Sequence, residues 1–244
     1  MLRWLTAFID VPTDRFETTV DFWSTVTDTT RSATRGDRDQ FVSLVPATGT
    51  DHLRVQALDG EPRIHLDLHV DSIPDAVDRA VGLGAELLAQ PGHAILRSPG
   101  GFVFCFVDHG GRGERGPRLT DPVEHRADVV CIDVPAPDYE TEYRFWSELT
   151  GQGLSPIHDD FPEFAGLALR HQGLPWNLLV QRLGADDGRA GAEAHLDVSA
   201  GEGFSAVADR HEALGAHVER RFDHWVILRD PAGLAYCITD RGPD

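Results

Sequence analysis

An internal repeat is the feature that most constrains how this chain can fold. Matching motifs occur in the same order in both halves, and the spacing between partners drifts only slowly. Ordered self-similarity of this kind indicates a duplicated domain with small loop insertions. The matching pairs are Phe8-Ile-Asp-Val-Pro with Cys131-Ile-Asp-Val-Pro, Phe22-Trp-Ser with Phe145-Trp-Ser, His65-Leu-Asp-Leu with His195-Leu-Asp-Val, and Ile95-Leu-Arg-Ser-Pro-Gly-Gly with Ile227-Leu-Arg-Asp-Pro-Ala-Gly.

Each half also shows an internal order of elements. An apolar run over residues 4–11 predicts a strand, and residues 12–26 have helical spacing with Asp14 as the expected N-cap. Three short strands are expected next, and the same order restarts at residues 64–70. The chain is therefore predicted to hold four strand–helix–three-strand units. We expect one domain at residues 1–110, a Gly-, Arg- and Pro-rich linker at 111–126, and a second domain at 127–244.

Composition excludes several function classes. The 244 residues carry 40 acidic and 22 basic side chains, for a net charge of −18, which argues against nucleic-acid or membrane partners. All basic residues are arginine, so lysine Schiff-base chemistry is excluded. No apolar run approaches the roughly 18–20 residues of a membrane span. Three cysteines without a recognisable signal peptide predict reduced thiols and a cytoplasmic location.

Four tandem βαβββ units with these motifs resemble the vicinal oxygen chelate superfamily, which includes glyoxalases, bleomycin-resistance proteins and extradiol dioxygenases. The resemblance is strongest to its glyoxalase-like group, and it covers nearly all of the chain apart from the linker and tail. It implies an α+β fold in which tandem βαβββ units form two cup-shaped mixed sheets with helices outside. The resemblance is specific for the fold and weak for the reaction.

The resemblance also implies where a divalent metal would be held. The metal-binding positions map to Thr6, Gln56, His65 and Cys105 in the first half. In the second half they map to Val129, Gln181, His195 and Cys237. Hydroxyl and amide groups are poor ligands for transition metals, and valine offers none. We therefore expect no metal and no other cofactor, although a zinc site at the first histidine and cysteine is conceivable.

Strand alternation predicts which side chains share a face with the two motif histidines. Residues two apart on a strand point the same way, so Asp67 should accompany His65, and Asp197 should accompany His195. Such a pair can act as a general acid–base, with the carboxylate orienting the ring. A structural polar cluster is the alternative. The candidate catalytic residues are thus His65, Asp67, His195 and Asp197; the candidate ligand-binding residues are Trp4, Thr6, Arg54, Gln56, Cys105, Asn177, Gln181 and Cys237.

Three functions remain open from the sequence. The first is binding of a small, partly apolar molecule in the cups, without a metal. The second is a lyase, isomerase or dioxygenase that acts through a His–Asp pair or a reduced metal site, so enzyme activity is uncertain. The third is a structural or regulatory module with vestigial cavities. We expect a monomer with internal pseudo-symmetry, with a dimer possible. Eight further histidines are expected at the surface: His93, His109, His125, His158, His171, His211, His217 and His224.

Overall fold

The computed structural model describes residues 1–90, 92–110, 124–153, 155–156 and 161–243, without the side chains of residues 155, 156 and 171. Most of the expected linker at 111–126 lies outside the described residues, as does His158. No helix among the described ranges is long and apolar enough to cross a membrane.

The first half forms one mixed sheet of eight strands. The strands are β1 (Leu2–Val11), β2 (Thr29–Arg31), β3 (Phe41–Pro46), β4 (Leu53–Ala57), β5 (Arg63–Val70), β6 (Glu86–Ala89), β7 (Ala94–Arg97) and β8 (Val103–Asp108). Their order in the sheet is β2-β3-β4-β1-β5-β8-β7-β6. β1 pairs with β4 in parallel, as β5 does with β8. Helix α1 (Phe16–Val26) follows β1, and helix α2 (Ile73–Gly82) follows β5.

The second half repeats this arrangement. Its strands are β9 (Arg126–Val134), β10 (Ser155–Pro156), β11 (Phe164–Leu167), β12 (Asn177–Arg182), β13 (Glu193–Ser199), β14 (His217–Arg221), β15 (Trp225–Arg229) and β16 (Ala235–Thr239). The sheet order β10-β11-β12-β9-β13-β16-β15-β14 is that of the first half, strand for strand. Helix α3 (Tyr139–Thr150) follows β9, and helix α4 (Phe204–Ala213) follows β13. The predicted α+β fold of tandem βαβββ units is confirmed.

The helices form where apolar side chains recur at helical spacing. On α1 the predicted stripe of Phe16, Val20 and Trp23 is buried. Burial of a large apolar side chain contributes roughly 1.5–3 kcal/mol relative to exposure. The predicted N-cap at Asp14 is wrong: a short 3-10 turn at Thr13–Arg15 precedes the helix, and Arg15 occupies the cap position. Residues 13–15, which the sequence pattern assigned to the helix, form this turn instead.

The described residues group into two compact units, each with its own core. Unit 1 takes residues from Met1–Thr6, His65–Arg115 and Val130–Ala194, and unit 2 from Ala7–Ile64, Gly116–Val129 and His195–Asp244. Each unit therefore combines segments from both halves of the repeat. In unit 1, Trp146 of α3 packs against Phe102 and Phe104. In unit 2, Trp23 of α1 packs edge-on against Tyr236 of β16.

Candidate functional site

In unit 1, a histidine, an aspartate and a cysteine meet on one face of neighbouring strands. His65 and Asp67 are two residues apart on β5, and Asp67 lies directly opposite Cys105 of β8 in the parallel register. The Nε2 atom of His65 is 3.8 Å from Oδ1 of Asp67. One ligand atom from each of the three side chains lies within 4.8 Å of the others. The three polar side chains therefore lie together on one face near the centre of the sheet.

The other face of β5 is apolar and fully buried. Leu66 and Leu68 have 0% and 1% of their surface exposed. Turning these side chains outward would expose them and bury two polar groups instead, at a cost of a few kcal/mol for each group left without a partner. The alternation of the His-Leu-Asp-Leu motif therefore sets the direction of the histidine and the aspartate.

Unit 2 contains the same arrangement in a tighter form. Asp197 of β13 lies opposite Cys237 of β16, and its Oδ1 atom is 3.2 Å from Nε2 of His195. The second carboxylate oxygen, Oδ2, accepts a hydrogen bond from Nη2 of Arg241 at 3.1 Å. Asp197 is 4% exposed, and within the described part of the chain its Oδ1 atom accepts no hydrogen bond. Arg241 thus anchors the carboxylate while the other oxygen faces the imidazole.

Two predicted ligand residues of β1 are buried in unit 1. The Oγ1 atom of Thr6 lies 3.0 Å from Nε2 of His69, so this hydroxyl is already engaged inside the protein. Trp4 is two residues earlier on the same strand and 3% exposed. Among the described residues its Nε1 atom has no hydrogen-bond partner.

Arg54 and Gln56 lie on β4 in unit 2. Arg54 donates to Oδ2 of Asp51 from Nε at 3.0 Å, and its guanidinium carbon is 5.6 Å from the centre of the Phe8 ring. Gln56 is half-buried and pairs in register with Asp10 of β1 and Phe41 of β3. The guanidinium of Arg54 therefore lies between the buried Phe8 ring and the carboxylate of Asp51 that pairs with its charge.

Gln181 and Asn177, both on β12, have different surroundings. The Oε1 atom of Gln181 lies 3.9 Å from the Sγ atom of Cys131. Asn177 uses its Oδ1 atom to accept a hydrogen bond from the backbone N–H of Arg170 at 3.0 Å. This bond ties the start of the strand to the 3-10 turn at Leu169–Gln172, so Asn177 has a structural partner.

Two aspartates were missed by sequence reasoning. Asp10 is 2% exposed and lies 3.1 Å from Nε of Arg63 in unit 2. Asp133 is 6% exposed and lies 3.1 Å from Nη1 of Arg189 in unit 1. Both belong to the repeated Ile-Asp-Val-Pro motif. Asp10 is two residues after Phe8 and four after Thr6 on β1. Alternation along the strand could therefore have placed it on the same face as these two residues.

One other prediction needs correction. His211 was expected at the surface, but it is 2% exposed and its Nδ1 atom lies 3.0 Å from the hydroxyl of Tyr236. Burial lowers the pKa of His211 to about 3, and the neighbouring His125 and Arg210 lower it further in the same direction. This histidine therefore stays neutral at neutral pH inside unit 2.

The remaining donor atoms do not form a ligand set typical of iron(II) or manganese. The hydroxyl of Thr6 is engaged by His69, and Val129 has no donor atom. What remains in each cluster is one imidazole, one carboxylate and one thiol. Iron(II) oxygenases use two histidines and one carboxylate, and manganese prefers oxygen donors over thiolate. In unit 2 the carboxylate of Asp197 is already paired with the guanidinium of Arg241, and this positive charge would repel a bound cation.

Comparisons with known proteins agree with this architecture. A family model described as "Glyoxalase-like domain" matches residues 6–107 and again residues 129–239. Two solved structures illustrate the likeness. The 2,2',3-trihydroxybiphenyl 1,2-dioxygenase from Sphingomonas wittichii RW1 is 12% identical, with a TM-score of 0.63 over 98% of this chain and 90% of that one. The Mn(II)-bound glyoxalase from Novosphingobium aromaticivorans is 15% identical, with a TM-score of 0.62 over 98% of this chain and 82% of that one.

At these identities the structural likeness concerns the fold alone. No curated protein matches the sequence. The family model, by contrast, covers most of the chain and matches it twice, once in each half. The chain therefore belongs to the Glyoxalase-like domain family and carries two copies of that domain.

Proposed function

We propose that this protein binds a small, partly apolar molecule at the His–Asp faces of its two sheets, without a metal ion. The observation that carries the proposal is the recurrence of one cluster, His–Asp–Cys, on the polar face of β5 and β8 and again on that of β13 and β16. The apolar Leu66 and Leu68 of β5 lie on the opposite strand face, so the polar side chains of the first cluster are not part of that apolar layer.

A second candidate function is a metal-free lyase or isomerase, and the anchored carboxylate of unit 2 favours it. Arg241 holds one oxygen of Asp197, and the other oxygen lies 3.2 Å from Nε2 of His195. A carboxylate fixed in this way orients the ring and stabilises the imidazolium formed when the ring takes a proton from a substrate. The single imidazole of each cluster gives no support to the dioxygenase form of this alternative.

The cellular setting belongs to the same proposal. None of the three cysteines forms a disulfide, which suits the reducing cytoplasm. Two linked copies of the domain can supply the pairing that a single-domain relative obtains from a second chain, so we propose a monomer. The excess of acidic over basic residues suits neither nucleic acid nor an anionic membrane as a partner.

Thermal stability in the presence of small molecules tests the binding proposal. The wild-type chain is screened against phenols, catechols and α-hydroxy ketones, and any stabilising compound is retested on His65→Ala and His195→Ala. A ligand at 100 times its Kd stabilises the folded state by about 2.7 kcal/mol. We expect each variant to lose stabilisation, while the exposed His217→Ala serves as the matched control.

Two results would contradict the proposal. One is stabilisation that is equal in the wild type and in both histidine variants, because the ligand would then bind elsewhere. The other is one iron, manganese or zinc ion per chain in protein purified without chelator, measured by elemental analysis. Native mass spectrometry of the same preparation gives the oligomeric state and detects any ligand that co-purifies.

A further inference from the structure

We infer that Cys237 is a nucleophilic thiol that His195 activates and Asp197 orients, and that it adds to small uncharged alkenes conjugated to a carbonyl group. This inference deepens the proposed function, because it assigns covalent chemistry to the same cluster. The Sγ atom of Cys237, a ring nitrogen of His195 and a carboxylate oxygen of Asp197 lie within 4.8 Å of one another. A nucleophile, a base and a group that orients the base are the three parts such a site needs.

The position of the carboxylate is the strongest evidence for this assignment. Asp197 is 4% exposed, and its Oδ2 atom is bound by Arg241. Its Oδ1 atom accepts no hydrogen bond from the described residues but lies 3.2 Å from Nε2 of His195. A buried carboxylate oxygen is stabilised most when a positive charge lies opposite it. The imidazolium that forms when His195 takes the thiol proton supplies that charge.

The thiol lies between this pair and an apolar neighbour. In the sheet, Cys237 is opposite Asp197 on one side and opposite Ile227 of β15 on the other. The charges of Asp197 and Arg241 already compensate each other, so the cluster offers no excess charge to recruit an ionic substrate. An uncharged molecule with a short apolar body matches these neighbours.

The proposed addition balances without any further reactant. His195 removes the proton from Sγ, and the sulfur electron pair forms a bond to the β-carbon of the alkene. The π electrons of the C=C bond move to the α-carbon, which takes the proton back from His195. No bond to a leaving group breaks, and no electron donor or acceptor is needed. The cluster needs to provide only the thiolate nucleophile and the proton that His195 transfers to the α-carbon.

The two copies of the cluster should differ in reactivity. Cys237 is partly exposed, whereas Cys105 is only 7% exposed. The His–Asp distance is 3.2 Å beside Cys237 and 3.8 Å beside Cys105. Access and orientation of the base therefore both favour the second copy. Each copy can serve as an internal control for the other in the same molecule.

Labelling with N-ethylmaleimide, an uncharged conjugated alkene, tests the inference. The folded full-length chain is labelled at pH 7, and peptide mass analysis gives the rate at each cysteine. We expect Cys237 to react about 10-fold faster than Cys105 and faster than the same thiol in urea-unfolded protein. His195→Ala should slow Cys237 by about 10-fold and leave Cys105 unchanged. His65→Ala should leave Cys237 unchanged.

A milder variant keeps the test valid if His195→Ala unfolds. Asp197→Asn preserves the shape of the side chain and should also slow Cys237 labelling. Equal labelling rates in the wild type and in both variants overturn the inference, and so does a zinc ion that shields the thiol. Reversible ligand stabilisation without fast labelling overturns this inference alone. Fast, His195-dependent labelling with no stabilising ligand contradicts reversible binding but not the reactive thiol.

Discussion

Each unit holds one buried carboxylate between a helix tryptophan and a turn of the sheet, but the two carboxylates come from different elements. In unit 2 the turn residue Asp230 accepts a hydrogen bond from Nε1 of Trp23 at 2.9 Å. In unit 1 the aligned turn residue is Ser98, and Glu142 of helix α3 provides the carboxylate, 2.8 Å from Nε1 of Trp146. The carboxylate that accepts from the tryptophan therefore comes from the turn in unit 2 and from the helix in unit 1.

The unit 1 network is fully buried and closely fitted. Glu142 is 0% exposed and accepts hydrogen bonds from Oγ of Ser98 at 2.6 Å and from the backbone N–H of Gly100 at 2.7 Å. Burial raises the pKa of Glu142, and these bonds act in the opposite direction. A Cβ atom at Gly100 would lie 2.8 Å from Oε2 of Glu142, whereas the aligned residue in unit 2 is Ala232. The glycine leaves room for the carboxylate.

Replacement of Glu142 by threonine, the residue at the aligned position 19, should strongly destabilise the protein. Three buried donors, on Ser98, Gly100 and Trp146, lose their acceptor. Each donor left without a partner costs about 1–3 kcal/mol. We expect a total loss of about 4 kcal/mol in the free energy of unfolding. For a chain of this length that corresponds to a fall in Tm of about 8–16 °C, measured by calorimetry or urea unfolding.

The double variant Ser98→Asp with Glu142→Thr should recover most of this loss. In unit 2 the turn carboxylate of Asp230 accepts hydrogen bonds from Trp23, Ala232 and Leu234, so the swap rebuilds a network that already works in this chain. We expect stability within about 1 kcal/mol of wild type and a coupling energy of about 3 kcal/mol. If the two substitutions act additively, or the double variant is the less stable, the exchange argument is refuted.

Three further predictions concern single sites. Gly100→Ala should cost about 2 kcal/mol, measured by urea unfolding, because its methyl group meets the buried Glu142 carboxylate; Ala232→Gly is the matched control, with an expected loss of about 1 kcal/mol. Burial lowers the pKa of His211 from 6.5 to about 3, so the unfolded chain binds its proton first. Stability should therefore fall as pH drops below 6.5, by up to about 1.4 kcal/mol per pH unit. His211→Phe should flatten that slope between pH 6.5 and 4.5, and an unchanged slope would contradict the assignment. Arg241→Met should weaken ligand stabilisation in unit 2 and lower stability by about 1–3 kcal/mol, because it leaves the buried Asp197 carboxylate without its hydrogen-bond donor; equal ligand stabilisation would show that the anchor is not needed.

The order of elements along the chain and the direction of side chains could be predicted because both depend on local patterns. The repeat gave two copies of each motif, and alternation gave the common face of His65 and Asp67. The start of α1 was missed because a 3-10 turn and a helix place apolar residues at similar spacings over one turn. The burial of His211 was missed for a different reason. Its surroundings come from Phe22 and Tyr236, which are remote in sequence.

Contacts between distant segments set the limit of the sequence analysis. The apolar stripe on α1 predicted burial of Trp23, but not that its indole would meet Asp230, 207 positions away. Arg241 lies beyond the last repeated motif, so no second copy pointed to its bond with Asp197. Asn177 has the same parity as Gln181, yet its amide is held by the Arg170 backbone. Alternation along a strand predicts which face of the sheet a side chain lies on, but not which neighbouring group it contacts.

The exchange in the core also changes how the repeated clusters are interpreted. Duplication by itself leaves two identical copies, so shared residues carry little information when the copies have hardly diverged. Here even a fully buried network has been rebuilt at three positions: Ser98, Gly100 and Glu142 in one unit correspond to Asp230, Ala232 and Thr19 in the other. Packing constrains such sites strongly. The His–Asp–Cys clusters lie on the strand face opposite the core leucines, and their three residue types are the same in both copies. A shared task in binding or chemistry, as proposed above, would account for that identity.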